Sequence, residues 1–354
     1  MATDSFLLTR RAWLAAFAAG MAMPAWSTDA RGFAATWQSG ENGWRIGLLA
    51  ARDGTLAPRA TLEVPTRAHG LLWQGQDLLA MARRPGDWMV RWRPGHEPQW
   101  GWIESDRAFN GHVIASPDGR LLYTTETDLE NGAGLVGVRD AGSFEKLTEW
   151  RTGGMDPHEL VLDADGTLLV ANGGIPTLPE TGRLKIGLER MDASLVRLDS
   201  TDGKLRGQWR LSDPRLSVRH LAWCGTGAQR VLGIALQAEH DDPEQKKQAP
   251  VLALFDGRAL RAVEAPRALA GYGGDIAWAG DRIAVSCPRA GGVALYGSDG
   301  KWMRFEPIAE ACPLAADGAQ LWVGGHTAAQ DVVAAAPPYK LEPGIRLDNH
   351  WLAG

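Results

Sequence analysis

The chain has 354 residues, 45% of them apolar and 22% charged, which gives enough apolar material for a large core and rules out a disordered polar chain. A formal net charge of −5 argues against nucleic-acid binding, which needs a basic patch or stripe. No internal run reaches the ~18 apolar residues of a membrane span.

Residues 1–30 read as a targeting segment. Thr9-Arg10-Arg11-Ala12-Trp13-Leu14 has the twin-arginine form, a small-residue apolar stretch follows over 15–25, and cleavage is expected just after Ser27 or Ala30. The expectation is a protein exported to the periplasm, with residues 31–354 as a single domain.

Beyond this segment the chain reads as strands; no stretch sustains a 3.6-residue apolar stripe. Three runs come first, at 33–37, 44–50 and 60–64. A unit then repeats. It opens with histidine before a short apolar run in Ala68-His69-Gly70-Leu71, Gly111-His112-Val113-Ile114, Pro157-His158-Glu159-Leu160 and Arg219-His220-Leu221-Ala222. A turn such as Pro117-Asp118-Gly119 follows, then a second apolar run such as Leu121-Leu122-Tyr123-Thr124. Two further copies carry Asp275 and Cys312 at the histidine position, and the last carries His350. Many of the sixteen tryptophans fall in or beside these runs, where half-buried sheet faces favour aromatics.

Repeats of this length, each with several short strands, are the signature of propeller blades. The first full unit supplies runs at 70–73, 78–82, 88–92 and 99–103. The terminal run around His350 lacks partners, and the three N-terminal runs supply them. The expected fold is therefore all-β: a seven-bladed β-propeller of four-stranded blades, with N- and C-terminal strands sharing one blade and leaving no open edge. Residues 327–343 read poorly as strands, so six or eight blades stay open.

Two units are lengthened by insertions, over 173–191 and 239–249, each after its second strand. In a propeller that loop lies on the same face as the start of the first strand. Ring residues and second-strand exits would then converge, giving Arg83, Glu126, Asn172 and Arg289 as candidate cofactor-binding residues, with Glu239 and His240 nearby. Three cysteines are an odd number for an oxidising compartment, so at least one is expected to be a free thiol. Cys224 and Cys287 sit in apolar runs and read as small hydrophobes, whereas Cys312 occupies a ring position.

These motifs resemble the bacterial "domain of unknown function 1513" family. The resemblance rests on Asn110-Gly111-His112, Ser116-Pro117-Asp118-Gly119-Arg120, Pro157-His158-Glu159-Leu160, Val170-Ala171-Asn172-Gly173-Gly174-Ile175, Arg219-His220-Leu221-Ala222, Gly271-Tyr272-Gly273-Gly274 and Asp348-Asn349-His350. It implies an exported seven-bladed propeller of the kind encoded beside imelysin-type and di-haem-oxidase-like proteins linked to iron acquisition. Where the family has Thr-His-Pro, this chain has Thr177-Leu178-Pro179, so one family histidine is missing.

The recurring histidines point to a transition metal, iron or copper, because imidazole nitrogen suits these ions. The candidate ligands are His69, His112, His158, His220 and His350, with Asp275 and Cys312. Seven positions are too many for one ion at ~2 Å, so an adjacent subset would ligate. A structural reading stands beside this one, since propellers also use inner-strand histidines to hydrogen-bond neighbouring blades. Two other classes stay open. One is a non-catalytic module docking a periplasmic imelysin-like or haem-bearing partner. The other is a calcium-dependent, lactonase-like hydrolase using Glu126, Asn172 and Glu239, or a His–carboxylate pair. His158 and Glu159 are adjacent on a strand and expected to point to opposite faces, so that pair is not expected to cooperate. A monomer is expected.

Overall fold

The computed structural model describes residues 32–40, 43–176, 185, 187–227, 230–334 and 337–354. The export segment and Thr177-Leu178-Pro179 lie outside these residues. Sheet begins with β1 (Gly32–Ser39), β2 (Gly43–Arg52) and β3 (Thr55–Val64). Five four-stranded antiparallel sheets follow in chain order. The first is β4 (Ala68–Gln74), β5 (Asp77–Ala82), β6 (Trp88–Trp92) and β7 (Gln99–Trp102). The second is β8 (Arg107–Ala115), β9 (Leu121–Asp128), β10 (Ala133–Asp140) and β11 (Lys146–Met155). The third is β12 (Pro157–Leu162), β13 (Leu168–Asn172), β14 (Ser194–Leu198) and β15 (Leu205–Trp209). The fourth is β16 (Leu216–Cys224), β17 (Val231–Ala238), β18 (Leu252–Phe255) and β19 (Leu260–Val263). The fifth is β20 (Ile276–Ala279), β21 (Arg282–Cys287), β22 (Gly292–Gly297) and β23 (Trp302–Pro307).

The remaining strands are β24 (Leu314–Asp317), β25 (Gln320–Gly324), β26 (Ala328–Asp331), β27 (Tyr339–Leu341) and β28 (Ile345–Ala353). With the N-terminal strands they form an eight-stranded sheet, ordered β24-β25-β26-β27-β3-β2-β1-β28. Among the described residues its only parallel contact is β27 on β3, through Lys340 opposite Thr55 and Leu341 opposite Leu56. The first and last described strands meet where β28 pairs antiparallel with β1. Residues 327–343, which read poorly as strands, do contribute the short β26 and β27.

The strands carry nearly continuous apolar runs because both faces of each sheet are buried. In β5, Leu78, Ala80 and Ala82 enter the layer shared with Ala34, Ile46 and Leu48 of β1 and β2. The intervening Leu79 and Met81 enter the next layer, with Phe109, Val113 and Leu122 of β8 and β9. The period of two thus feeds successive cores from one strand. First strands also pack on one another in a closed circuit: β4 on β8, then β12, β16, β20, β24 and β28, which returns to β4.

Turns follow their local chemistry. Asp118 accepts from the Ser116 hydroxyl and the Arg120 amide at 2.6 and 3.1 Å, and Gly119 takes the φ of +69° that closes the turn. Within the insertion at 239–249 lies a short helix, Pro243–Gln248, capped by Asp242 through the amides of Glu244 and Gln245. It buries none of its residues, so it has no apolar stripe to betray it in the sequence. No helix among the described residues is long and apolar enough to cross a membrane. All three cysteines are free, and burial pushes the thiols of Cys224 and Cys287 up to about 12.

Candidate metal centre

The recurrent histidines share a backbone irregularity that the sequence does not reveal. The ladder between β4 and β5 jumps from Ala68 to Leu71, passing over His69 and Gly70 opposite a single residue. It jumps likewise over His158 and Glu159 in β12, and over Arg219 and His220 in β16. In β8 it passes over Asn110 to His112, and in β28 over Asp348 to His350. Such bulges break strict alternation and re-aim side chains. All five described ring histidines are thereby turned inward, at the end of the circuit where the first strands begin.

Close approach of neighbouring strands is set by glycine. Gly111 has φ +104°, and a Cβ there would lie 2.7 Å from the ring of His69. A side chain at this position would therefore meet both backbone strain and the imidazole.

The rings crowd together. Centroids are 4.4 Å apart for His158 and His220, 4.5 Å for His69 and His350, 4.6 Å for His220 and His350, and 4.8 Å for His69 and His112. One potential ligand atom from each of His69, His112, His158 and His220 lies within 4.8 Å of the others, and all four residues are buried. A second group of this kind joins His220, Asp275 and His350. The Nε2 atoms of His158 and His220 are 3.1 Å apart. Several ring nitrogens are buried with no hydrogen-bond partner in the protein: both of His69, Nε2 of His112, Nδ1 of His158 and Nε2 of His350. Orphaned nitrogens in a native interior call for an explanation, and a shared ion is one.

Carboxylates stand behind the imidazoles. Glu159 Oε2 accepts from the Leu221 amide at 2.9 Å and lies 3.2 Å from His220 Nδ1, while Oε1 is 3.8 Å from His112 Nδ1. Asp275 accepts from the amides of Ile276 and Leu314 at 2.8 and 2.9 Å, and lies 3.4 Å from His350 Nδ1. Carboxylate contact fixes the tautomer and ring orientation and raises the basicity of the other nitrogen. Glu159 thus reaches histidines of neighbouring strands rather than acting with His158, a place in the site that the sequence reading did not give it. The bulge frees it from alternation, and it serves His220 and His112 on neighbouring strands. Its signal was present in the Pro-His-Glu-Leu motif.

His69, His112, His158 and His220 are all held well below the usual histidine value of 6.5. Burial is the main cause in each. Mutual repulsion and the nearby Arg83 or Arg219 add to it, while Glu159 beside His112 and Asp275 beside His220 oppose it. His350 goes the other way: burial lowers it, but Asp275 together with Glu159 and Asp348 outweighs that and raises it. The four depressed histidines are therefore neutral near pH 7, the state that ligates metal. The sign for stability follows. Below 6.5 the unfolded chain takes up protons that these four refuse when folded, so stability falls with pH at up to about 1.4 kcal/mol per pH unit for each. His350 contributes oppositely, adding stability present below 6.5 and lost as pH rises through its folded value. Four outweigh one, so urea unfolding of metal-free protein is expected to show marked loss from neutral to mildly acid pH. A flat profile would contradict the neutral cluster.

The other candidate residues lie as follows. Cys312 belongs to neither ligand group, and burial raises its thiol, which disfavours the thiolate a metal needs. Glu126 is buried in β9, paired with Arg139 at 2.8 Å and bonded to the Thr124 hydroxyl at 2.6 Å. Asn172 donates to Thr152 O and Ser194 Oγ at 3.2 and 3.3 Å. Glu239 pairs with Lys185 and Lys246, His240 with Asp213, and Asp241 with Arg215. Glu126 and Glu239 belong to neither group of converging ligand atoms, and each is held in an ion pair, which does not favour the calcium reading. Arg289 is exposed and stacks on Tyr272, 4.3 Å from the ring centre.

Arg83 lines a cavity of about 20 Å³, on the scale of a water or an ion, whose wall includes His69, His158 and His220. Arg84 and Arg219 also line it, and both pair with Asp156, Arg219 at 2.7 Å. Asp156 holds this place in a left-handed conformation, φ +53°. Arg84 is expected near the site as a second-strand exit, whereas nothing in the sequence marks Arg67, Asp156 or Arg219 as site residues.

Comparison with known proteins gives the fold and the family. Hydrazine synthase of Kuenenia stuttgartiensis is similar in structure with a TM-score of 0.60 and 12% identity, over 80% of this chain and 89% of that one. A streptogramin B lyase structure gives 0.58 and 13%, over 79% and 85%. The Cps50 (Swd1) β-propeller domain of Myceliophteria thermophila gives 0.50 and 16%, over 74% and 79%. At such identities the likeness shows the fold alone, a β-propeller. No curated protein matches the sequence. The model of the family described as "Protein of unknown function (DUF1513)" matches residues 62–354, and the chain belongs to that family.

Proposed function

We propose that this protein binds one transition-metal ion, iron or copper, through His69, His112, His158 and His220 at the hub of a seven-bladed propeller. The observation that carries the reading is the convergence of four buried imidazoles with ligand atoms within 4.8 Å of one another. Nitrogens at the ~2.0–2.1 Å typical of histidine ligation lie at most roughly 4 Å apart across an ion, so shifts of about an ångström complete the shell. Glu159, 3.2 Å from His220 Nδ1, supplies an outer hydrogen bond of the kind such ligands use. The blade count follows from reading the eight-stranded sheet as two blades, β24 to β27 and β28 with β1 to β3. Seven apolar layers between sheets, one per junction, support it.

The twin-arginine segment supports export, and the ion would then be exchanged in the periplasm with an imelysin-like or haem-bearing partner. The test is equilibrium dialysis of untagged metal-free protein against copper(II), zinc and iron(II), with elemental analysis. One ion per chain is expected, copper(II) held more tightly than iron(II) in the usual order for nitrogen sites. Failure to take up any of the three overturns the reading. Glu159→Gln is expected to keep the stoichiometry and lower affinity by about 10–100-fold, the usual cost of an altered outer partner. Unchanged affinity would remove Glu159 from the site.

A further inference from the structure

The cavity beside the histidines has a second chemistry. Its wall carries Arg83, Arg84 and Arg219, with Gln237, Tyr272 and Asn349, and among the described residues no carboxylate lines it. Arg219 is 5% exposed and burial lowers its guanidinium to about 10, so its charge is held where charge is costly. Asp156 sits behind Arg84 and Arg219 and is shared between them. Other carboxylates nearby have partners of their own: Glu159 and Asp275 against histidines, Asp348 with Arg67, and Glu239 with Lys185, Lys246 and Gln237. Arg289, stacked on the cavity residue Tyr272, adds a further cation at its rim.

A divalent ion on four neutral imidazoles would add two positive charges beside three guanidinium groups. An anion in the cavity offsets that charge. Three of the four histidines, His69, His158 and His220, face the same cavity, so a group there can reach both the ion and the arginines. Guanidinium donors match oxyanions and carboxylates in a two-point fork, and charge-assisted bonds of this kind are the strong ones. We infer that the arginine-lined cavity binds the oxyanion end of a small ligand, a carboxylate or phosphate, adjacent to the histidine-held metal.

The inference deepens the metal reading by naming the ligand chemistry, and the two fail separately. Metal-free and copper-loaded protein would be titrated with sodium acetate and with inorganic phosphate by calorimetry at constant ionic strength. Binding of either anion is expected, tighter by about tenfold or more with copper present, a difference of about 1.4 kcal/mol. Preference for acetate assigns a carboxylate-bearing ligand, and preference for phosphate a phosphate-bearing one. Arg83→Gln is expected to weaken binding by about tenfold or more, with Arg83→Lys retaining part of it. Anion binding by a protein that takes up no metal would leave this inference standing without the metal. Copper uptake with no binding of either anion overturns it, as does unchanged affinity in a folded Arg83→Gln. Should that variant not fold, the visible absorption of copper-loaded wild type must shift on acetate or phosphate addition. An absorption band that neither anion moves overturns it equally.

Discussion

His112→Ala combined with His158→Ala is expected to abolish stoichiometric metal uptake while leaving the β-sheet circular dichroism unchanged. The two rings are 4.9 Å apart, centre to centre, and together supply half of the four-histidine set. Two remaining imidazoles cannot complete a four-coordinate shell. The same variant separates ligation from scaffolding. Neither substitution removes a strand-ladder hydrogen bond, because those are made by the backbone, and both residues sit in bulges where the ladder is already interrupted. If the doubly substituted chain unfolds or fails export, the histidines are structural posts between neighbouring strands and the metal assignment loses its basis. Dialysis with elemental analysis, alongside thermal melting, decides between these results.

Arg139→Met is expected to be the most destabilising substitution away from the hub, by about 3–5 kcal/mol in urea unfolding at neutral pH. Arg139 is 1% exposed, contacts Glu126 through both Nε and Nη2, reaches Glu104 at 2.9 Å and lies over the ring of Phe109. Glu126 is fully buried, and burial pushes its carboxyl up even against the pull of Arg139. Removing the guanidinium leaves that carboxylate without its counter-charge in the interior, the costly case for a broken buried pair. Changing Glu126 to Gln in the same chain is expected to recover much of the loss, since the stranded charge is then gone. A loss below about 1 kcal/mol in the single variant would show the pair to be dispensable, as exposed pairs generally are.

The contrast between Glu126 and Glu159 shows how far the sequence could be read. Strand runs were legible because sheets buried on both faces write continuous apolar stretches. The four runs of the first full unit fall on β4 to β7 with boundaries within two residues. The N-terminal runs at 33–37, 44–50 and 60–64 likewise fall within β1 to β3. The short helix was not legible, since six solvent-facing residues carry no periodic signal. At the site, recurrence of histidine at one point of a repeat was enough to bring five rings together on paper, and the circuit of first strands brings them together in space. What the sequence withheld was the bulge. Strict alternation hid the place of Glu159, and the expected second-strand exits put Glu126 and Asn172 toward the hub, although Glu126 is tied within its own sheet and Asn172 bonds Ser194 of its own sheet and Thr152 of the preceding one. Asp156 was hidden for a related reason: its pairing with Arg84 and Arg219 joins residues far apart in the chain, and no spacing rule encodes it.

X-ray absorption spectroscopy on protein loaded with one equivalent of copper tests the four-histidine assignment most directly. The expected result is a first shell dominated by about four nitrogen scatterers near ~2.0 Å, with the outer-ring scattering of imidazole. A sulfur scatterer near ~2.3 Å would place Cys312 on the metal instead, and a shell of oxygens alone would put the ion elsewhere on the protein. Either would contradict a hub in which His69, His112, His158 and His220 hold the ion.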